Sequence, residues 1–491
     1  VYLLTTRKPK KMQSKIEIKE QKTKILATVG PACSDYNTLL ELIMAGVSAF
    51  RLNFSHGSHE DHLKVINFIN YINKKHNINV SLLADLQGPK LRVGVMENNG
   101  LKIKPGDVLT FVNQECVGNM EKIYMSYQLF ARDVKIGEKV LVDDGKIELE
   151  VVETNKKDTV KLKVLHGSVL SSKKGVNLPD TNVSLPSLTE KDLKDLDFIL
   201  TQNFNWIALS FVRRPQDITE LREKLTKANS KARIVAKIEK PEAILNLDAI
   251  IDATDAVMIA RGDLGIELPM ERLPMLQKDI IQRCIRKSKP VIVATQMMDS
   301  MITNPSPTRA EVNDVANAVM DGTDAVMLSG ETSVGEHPIL VVEAMNKIID
   351  EVERNGNIYF RDNHADPKTK NYVSDSICFN AANLAKELDA KAIIGMTRSG
   401  YTGFMVSSCR PKSDIYIFSS DADLLGTLSL VWGTRCYFYD KFTTTDDTIK
   451  DVIELLKQKG MITTNDVVIN IGSMPLSERR RTNMMKVTVV D

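Results

Sequence analysis

The sequence predicts an α/β protein: a closed (β/α)8 TIM barrel, interrupted after its third strand by an all-β lid and followed by an open-sheet α/β domain. Three observations carry that prediction. Eight apolar runs of strand length alternate with amphipathic stretches of helix length, which implies parallel strands joined by helical crossovers. A β-rich segment from 91 to 186 breaks the alternation once. After a polar linker, RDNHADPKTKN at 361–371, the alternation resumes on a second set of runs.

Taken in order, residues 1–22 read as a solvated extension. VYLLTTRKPKKMQSKIEIKE begins without Met and has a short basic cluster but no apolar core of a signal peptide; a truncated targeting sequence is the alternative. Residues 23–90 hold the first three barrel runs, KILATVG (24–30), SAFRLNF (48–54) and VSLLADL (80–86). Between them, in SDYNTLLELIMAG, Ser34 or Asp35 can cap a helix and Gly46 can stop it.

Residues 91–186 form the lid, with strands in LKIKPGDVLTFV, EKVLVDDGKIELEVVE and TVKLKVLHGSVL turning at Pro-Gly, Asp-Gly and His-Gly. Leaving and rejoining the barrel after strand three, the lid emerges at the C-terminal strand ends, where barrel enzymes place their active sites. Residues 187–356 begin with a helix for which Ser187 and Glu190 form the expected capping box. They then carry WIALSFV (206–212), RIVAKIE (233–239), AVMIARG (256–262), PVIVATQ (290–296) and AVMLSGE (325–331). Residues 357–491 form the separate α/β domain on KAIIGMTRSG, DIYIFSS, TRCYFYD, DVVINIG and KVTVV.

Composition narrows the function classes. A chain of 491 residues exceeds the roughly 250–300 that one core serves, so several domains are required. Apolar residues at 43% and charged residues at 26% exclude a disordered or fibrous chain. A formal charge of +2 supplies no field to attract nucleic acid or an acidic membrane, which leaves small molecules as the expected partners. Six cysteines without a CxxC pair argue against a disulfide framework or zinc, and for a reducing, cytoplasmic setting. No apolar run is long enough to span a bilayer.

The strand tips carry the chemistry. In SAFRLNFSH, period-two geometry sends Phe50, Leu52 and Phe54 under the helices and Arg51, Asn53 and Ser55 into the barrel mouth. There Arg51 would offer five fixed donors to a phosphate or carboxylate, a structural Arg tying two strands together being the alternative. RIVAKIEK likewise points Val235, Lys237 and Glu239 inward and Ile234, Ala236 and Ile238 outward. A buried ion pair is costly, and a bound anion and metal would offset that cost. Asp263 ends the sixth run beside Gly262, whose bare backbone a ligand can approach. Glu239 and Asp263 thus form the incomplete oxygen shell that magnesium takes in phosphoryl-transfer sites. Thr295, Ser329, Glu331, Asp85, Lys90 and Arg92 add polar groups at the remaining tips, an asymmetry that points to an enzyme with an anionic, metal-bound substrate.

His56, His59 and His62 are too spread for a zinc site, and the last two are expected on a helix surface. Two rival readings are another magnesium-dependent barrel enzyme, such as an aldolase or lyase, and a barrel kept as a scaffold or RNA-binding module.

IVAKIEKPEAI closely resembles the active-site signature of the pyruvate kinase family, and RLNFSHG, MIARGDLGIE, ATQMMDSM, PTRAEVNDVANAV and DAVMLSGET resemble its other hallmark blocks, in family order from about residue 22 onward. The resemblance implies transfer of the phosphoryl group of phosphoenolpyruvate to ADP with Mg2+, the last step of glycolysis. It assigns charge neutralisation to Lys237, magnesium to Glu239 and Asp263, phosphate binding to Arg51, and carboxylate binding to the Gly262 amide and Thr295. Proton delivery falls to a relay near Thr295 that includes Ser329. The nucleotide falls to Asn53, His56, Arg92 and Lys174.

The family's potassium cage corresponds to Asn53, Ser55, Asp85 and the Leu86 carbonyl. Potassium-dependent members read TKGPE where this chain has LQGPK, however, so Lys90 can supply the missing charge and make K+ dispensable. The resemblance further implies a homotetramer and an allosteric effector domain, with Thr397, Ser399 and Thr402 cradling a phosphorylated effector, an ordinary capped turn being the alternative. The last loop, GSMPLSERRRTN, differs from forms associated with fructose bisphosphate.

Overall fold

Alternation along the barrel strands sorts their side chains into two buried layers. Ile25, Phe50, Leu52, Ile234, Ala236 and Ile238 face outward into a large core shared with the surrounding helices. Leu26, Leu83, Trp206, Val235, Met258 and Met327 face inward and fill the barrel axis. Strands buried on both faces read as the near-continuous apolar runs seen in the sequence.

The computed structural model describes residues 16–361, 365–441, 444–474 and 481–491. Its eight parallel strands are Lys24–Thr28, Val47–Asn53, Ser81–Asp85, Trp206–Leu209, Arg233–Ile238, Ala256–Ala260, Val291–Ala294 and Ala325–Leu328. They pair in chain order, and the last pairs with the first through Lys24 and Ala325, closing the barrel.

Local signals set the helices between them, with one shift from expectation. Asp35 caps Tyr36–Ala45 by accepting from the Asn37 and Thr38 amides at 3.0 and 3.1 Å, and Gly46 ends that helix at φ +120°. The helix Glu190–Ile199 starts two residues later than predicted: Thr189 and Asp192, not Ser187 and Glu190, form its capping box. Asp192 wins because one oxygen takes the Thr189 amide at 2.9 Å while the other takes the Gly88 amide at 3.1 Å, which ties the helix to the third strand's loop. Ser187 is buried, with its hydroxyl unpaired.

The expected solvated extension is corrected where it is described. The Lys19 amide donates to the Met44 carbonyl at 3.1 Å, Gln21 Nε2 to the Gly46 carbonyl at 2.8 Å, and the Lys22 amide to Glu353 at 3.0 Å. This segment therefore lies along the barrel, because its polar groups satisfy helix ends there. Residues 1–15 of the extension, 362–364 of the polar linker and 475–480 of the last loop lie outside the described residues.

Between the third and fourth barrel strands, the lid folds as a six-stranded sheet. Its order is Val176–Asn177, Lys139–Val142, Ile147–Thr154, Thr159–His166, Val108–Val112 and Ile123–Tyr124, over a core of its own. The C-terminal sheet runs Thr434–Phe438, Asp414–Ser419, Ala392–Met396, Val467–Gly472 and Met484–Val489, with the last strand antiparallel. This domain closes the N-terminal end of the barrel. Trp206 Nε1 donates to the Thr427 carbonyl at 3.2 Å, and Arg410 reaches Asp324 at 2.8 Å. The opposite end, beneath the lid, is left for chemistry. Among the described residues no helix is long and apolar enough to cross a membrane.

Candidate active site

The second, third and fifth strands end in charged residues that meet above the apolar axis. Lys237 Nζ donates to Ser210 Oγ at 2.8 Å and lies 3.0 Å from Glu239 Oε1 and 3.3 Å from Asp85 Oδ1. Arg51 Nε meets the other Asp85 oxygen at 2.6 Å, and its Nη1 donates to Thr28 Oγ1 at 3.0 Å. Glu239 Oε2 accepts from the Phe211 amide at 2.7 Å, an approach made by a left-handed backbone at Phe211, φ +54°.

Both carboxylates are 1% exposed, so their charges survive only through these partners. Burial works against the Lys237 ammonium, but Asp85 and Glu239 together outweigh it and hold its pKa above the ordinary range. Burial would raise Asp85 too, yet Lys237 and Arg51 bring it below the usual carboxylate value. Glu239 goes the other way: burial pushes its carboxyl up, Lys237 only partly compensates, and the charge of Asp263 adds to the rise.

Asp263 sits in the first turn of the helix Arg261–Glu267, which follows the sixth strand without a loop. It lines the same cavity as Arg51, Lys237 and Glu239. A buried carboxylate whose charge a second one makes costlier suits a hard dication with oxygen ligands. Substrate oxygens and water would complete such a shell. The residues fit Mg2+ on these terms.

Thr295 and Gly262 come together as the sequence suggested, the Gly262 amide donating to Thr295 Oγ1 at 2.7 Å. Thr295 and Gln296 are left-handed at φ +69° and +53°, a costly state for a β-branched residue. Arg261 holds them there by donating to the Thr295 carbonyl at 2.9 Å while paired with Asp314 at 2.7 Å. Ser329, like Gly262 and Thr295, is not among the residues that line the Lys237 cavity; its amide donates to Glu331 at 2.6 Å. Glu331 also takes the Met298 amide at 3.1 Å, so it braces two strand-tip loops.

Asn53, Ser55, His56, Leu86, Lys90 and Arg92 all line the cavity. Asn53 Oδ1 accepts from the Ser55 amide at 3.1 Å, and the Leu86 carbonyl accepts from Ser210 Oγ at 2.7 Å. Lys174 does not join them: its ammonium pairs with Asp143 of the lid at 2.9 Å. His59 and His62 are corrected from surface residues to half-buried ones. His59 stacks on Phe198 at 4.5 Å and bonds Asp195 at 2.8 Å, while His62 packs on Phe54 and donates to the His56 carbonyl at 3.0 Å.

In the C-terminal domain, Thr397 Oγ1 and Ser399 Oγ accept from the Gly400 and Tyr401 amides at 3.1 and 3.4 Å. Thr402 is buried with its hydroxyl on Thr482 at 2.8 Å. Sequence reasoning missed Ser210 and Thr28, the two hydroxyls that orient Lys237 and Arg51. Their one signal was position, as polar residues at the ends of apolar runs.

A family model described as pyruvate kinase, barrel domain, matches residues 20–342, and one described as pyruvate kinase, alpha/beta domain, matches 375–488. The chain is 41% identical over 475 residues to a pyruvate kinase of Geobacillus stearothermophilus, covering 96% of this chain and 81% of the relative. It is 39% identical over 471 residues to one of Staphylococcus epidermidis, covering 96% and 80%. The crystal structure of a pyruvate kinase from Cryptosporidium parvum superposes with a TM-score of 0.89 at 34% identity, over 96% of each chain. With matches that run through barrel and C-terminal domain alike, the chain belongs to the pyruvate kinase family.

Proposed function

We propose that this chain transfers the phosphoryl group of phosphoenolpyruvate to ADP, with Glu239 and Asp263 holding Mg2+ at the barrel mouth. The observation that carries the reading is one cavity lined by the Lys237 ammonium, the Arg51 guanidinium and that carboxylate pair. Magnesium bound there would neutralise charge on the substrate's oxygens.

Lys237, already oriented by Ser210 and charged at all working pH, faces the phosphoryl group as its bond to the enol oxygen breaks and a β-phosphate oxygen of ADP takes it. Arg51 grips the phosphate, and the Gly262 amide with Thr295 binds the carboxylate. The enolate then gains a proton on carbon from a relay near Thr295, with Ser329 in its path. Asn53, His56 and Arg92 receive the nucleotide. Lys174 joins them when the lid closes and its pair with Asp143 is exchanged for phosphate, a movement that also excludes water.

Lys90, lining the cavity beside Asn53, Ser55, Asp85 and Leu86, supplies the charge of a monovalent cation and makes K+ dispensable. The proposed division of labour assigns 23–90 with 187–356 to catalysis, 91–186 to the lid and 357–491 to regulation, with 1–22 as an extension. A cytoplasmic homotetramer answering to a phosphorylated effector at Thr397, Ser399 and Thr402 completes the reading. An assay of pyruvate and ATP formation with phosphoenolpyruvate, ADP and Mg2+ omitted in turn tests it. All three are required on this reading, and turnover without ADP would reassign the barrel to aldolase- or lyase-type chemistry.

A further inference from the structure

Beyond the cavity, one buried carboxylate joins three separate parts of the site. Glu267, 4% exposed, ends the helix that begins at Arg261, and lies four residues past Asp263 on the same helical face. Its Oε1 takes the Lys240 ammonium at 2.5 Å and the Asn177 amide nitrogen at 2.9 Å. Lys240 is the neighbour of Glu239 in sequence, so the two magnesium carboxylates each lie beside one partner of this contact. Asn177 belongs to the lid, in the short strand Val176–Asn177 that pairs with Lys139–Val142.

Both donors converge on a single oxygen, while Glu267 Oε2 is buried without a hydrogen-bond partner. Such a carboxylate depends on both donors staying in place, since loss of either leaves charge in a dry site. Helix, strand tip and lid are thereby held at one spacing.

We infer that Glu267 is a positioning residue that sets the separation of Glu239 and Asp263, and that Asn177 makes this separation depend on the lid. The inference rests on the magnesium reading above. A contact that merely anchored the lid would alter stability and lid motion and leave metal affinity alone.

The test is titration of the full chain with Mn2+ in the absence of substrates, reading free ion by electron paramagnetic resonance. Melting curves check folding of each variant. The wild-type chain should bind Mn2+ at a site lost in Glu239→Gln. Glu267→Gln should weaken Mn2+ five- to tenfold, and Asn177→Ala, which removes only the lid's contribution, about threefold. The double variant should bind no more weakly than Glu267→Gln alone, because both act through one carboxylate. Wild-type affinity in Asn177→Ala, or in a folded Glu267→Gln, overturns the inference and leaves the magnesium reading standing. Absence of any Glu239-dependent Mn2+ site in the wild type overturns both.

Discussion

Replacing Lys237 with Met, a near-isostere without charge, tests the electrostatic core of the proposal. An ammonium about 3.5 Å from a transferring phosphoryl group, at an effective dielectric near 20, interacts by about 4–5 kcal/mol. Asp85 and Glu239 already share that charge in the resting site, so about 4 kcal/mol is the fair figure, or roughly a thousandfold in kcat. The variant also leaves Glu239, 1% exposed, with only the Phe211 amide as partner, at a cost of about 3–5 kcal/mol if it stays ionised, whereas Asp85 keeps Arg51. Without Lys237 the Glu239 carboxyl, already pushed up by burial, rises further above its unfolded value. The variant keeps its stability below the unfolded carboxyl range and loses it as pH climbs from there toward the raised Glu239 value. The melting temperature of Lys237→Met should therefore fall well below wild type at pH 7 and approach it near pH 5. Steady-state pyruvate formation and calorimetry across that range give both readouts. A folded variant with kcat within tenfold of wild type would refute the reasoning.

Three further outcomes follow from the same structure. Exchanging tetramethylammonium for potassium should change the wild-type rate less than about twofold, whereas Lys90→Glu should become potassium-dependent; a large potassium response in the wild type would remove Lys90 from its assigned role. His62→Leu keeps the packing on Phe54 and loses the bond to the His56 carbonyl, so KM for ADP should rise about fivefold at unchanged kcat, as one hydrogen bond of about 1 kcal/mol predicts. Lys24 is buried against the C-terminal domain, donating to the Thr434 carbonyl at 2.9 Å, and burial lowers its pKa to about 8. Because the folded chain gives up this proton before the unfolded one does, the Lys24 contribution to stability should grow between pH 8 and 10, on the order of 2–3 kcal/mol, and Lys24→Met should flatten that rise in denaturant melts.

Much of this protein is written in local order. A strand buried on both faces must be apolar at nearly every position, so eight such runs declared the barrel before any pairing was known. Period-two geometry then placed Arg51, Lys237 and Glu239 inward, because the pleat alternates whatever its neighbours are. Turn chemistry at Pro-Gly, Asp-Gly and His-Gly marked the lid for the same reason: φ above zero is a demand that single residues advertise.

Partnership was not legible in that way. That Asp85 stands between Arg51 and Lys237, that Ser210 orients the ammonium, and that Lys174 is held by Asp143 depend on distances between segments tens to hundreds of residues apart. The cap at Thr189 was misjudged because Asp192 is selected by the Gly88 amide, a contact from another strand. The buried Glu267, touching lid, strand tip and helix together, had no motif to announce it. Sequence by itself determined which side chains face which layer, since that follows from backbone period and burial. Only the tertiary structure decided which charges meet, since electrostatic pairing falls off with distance in space and is indifferent to distance along the chain.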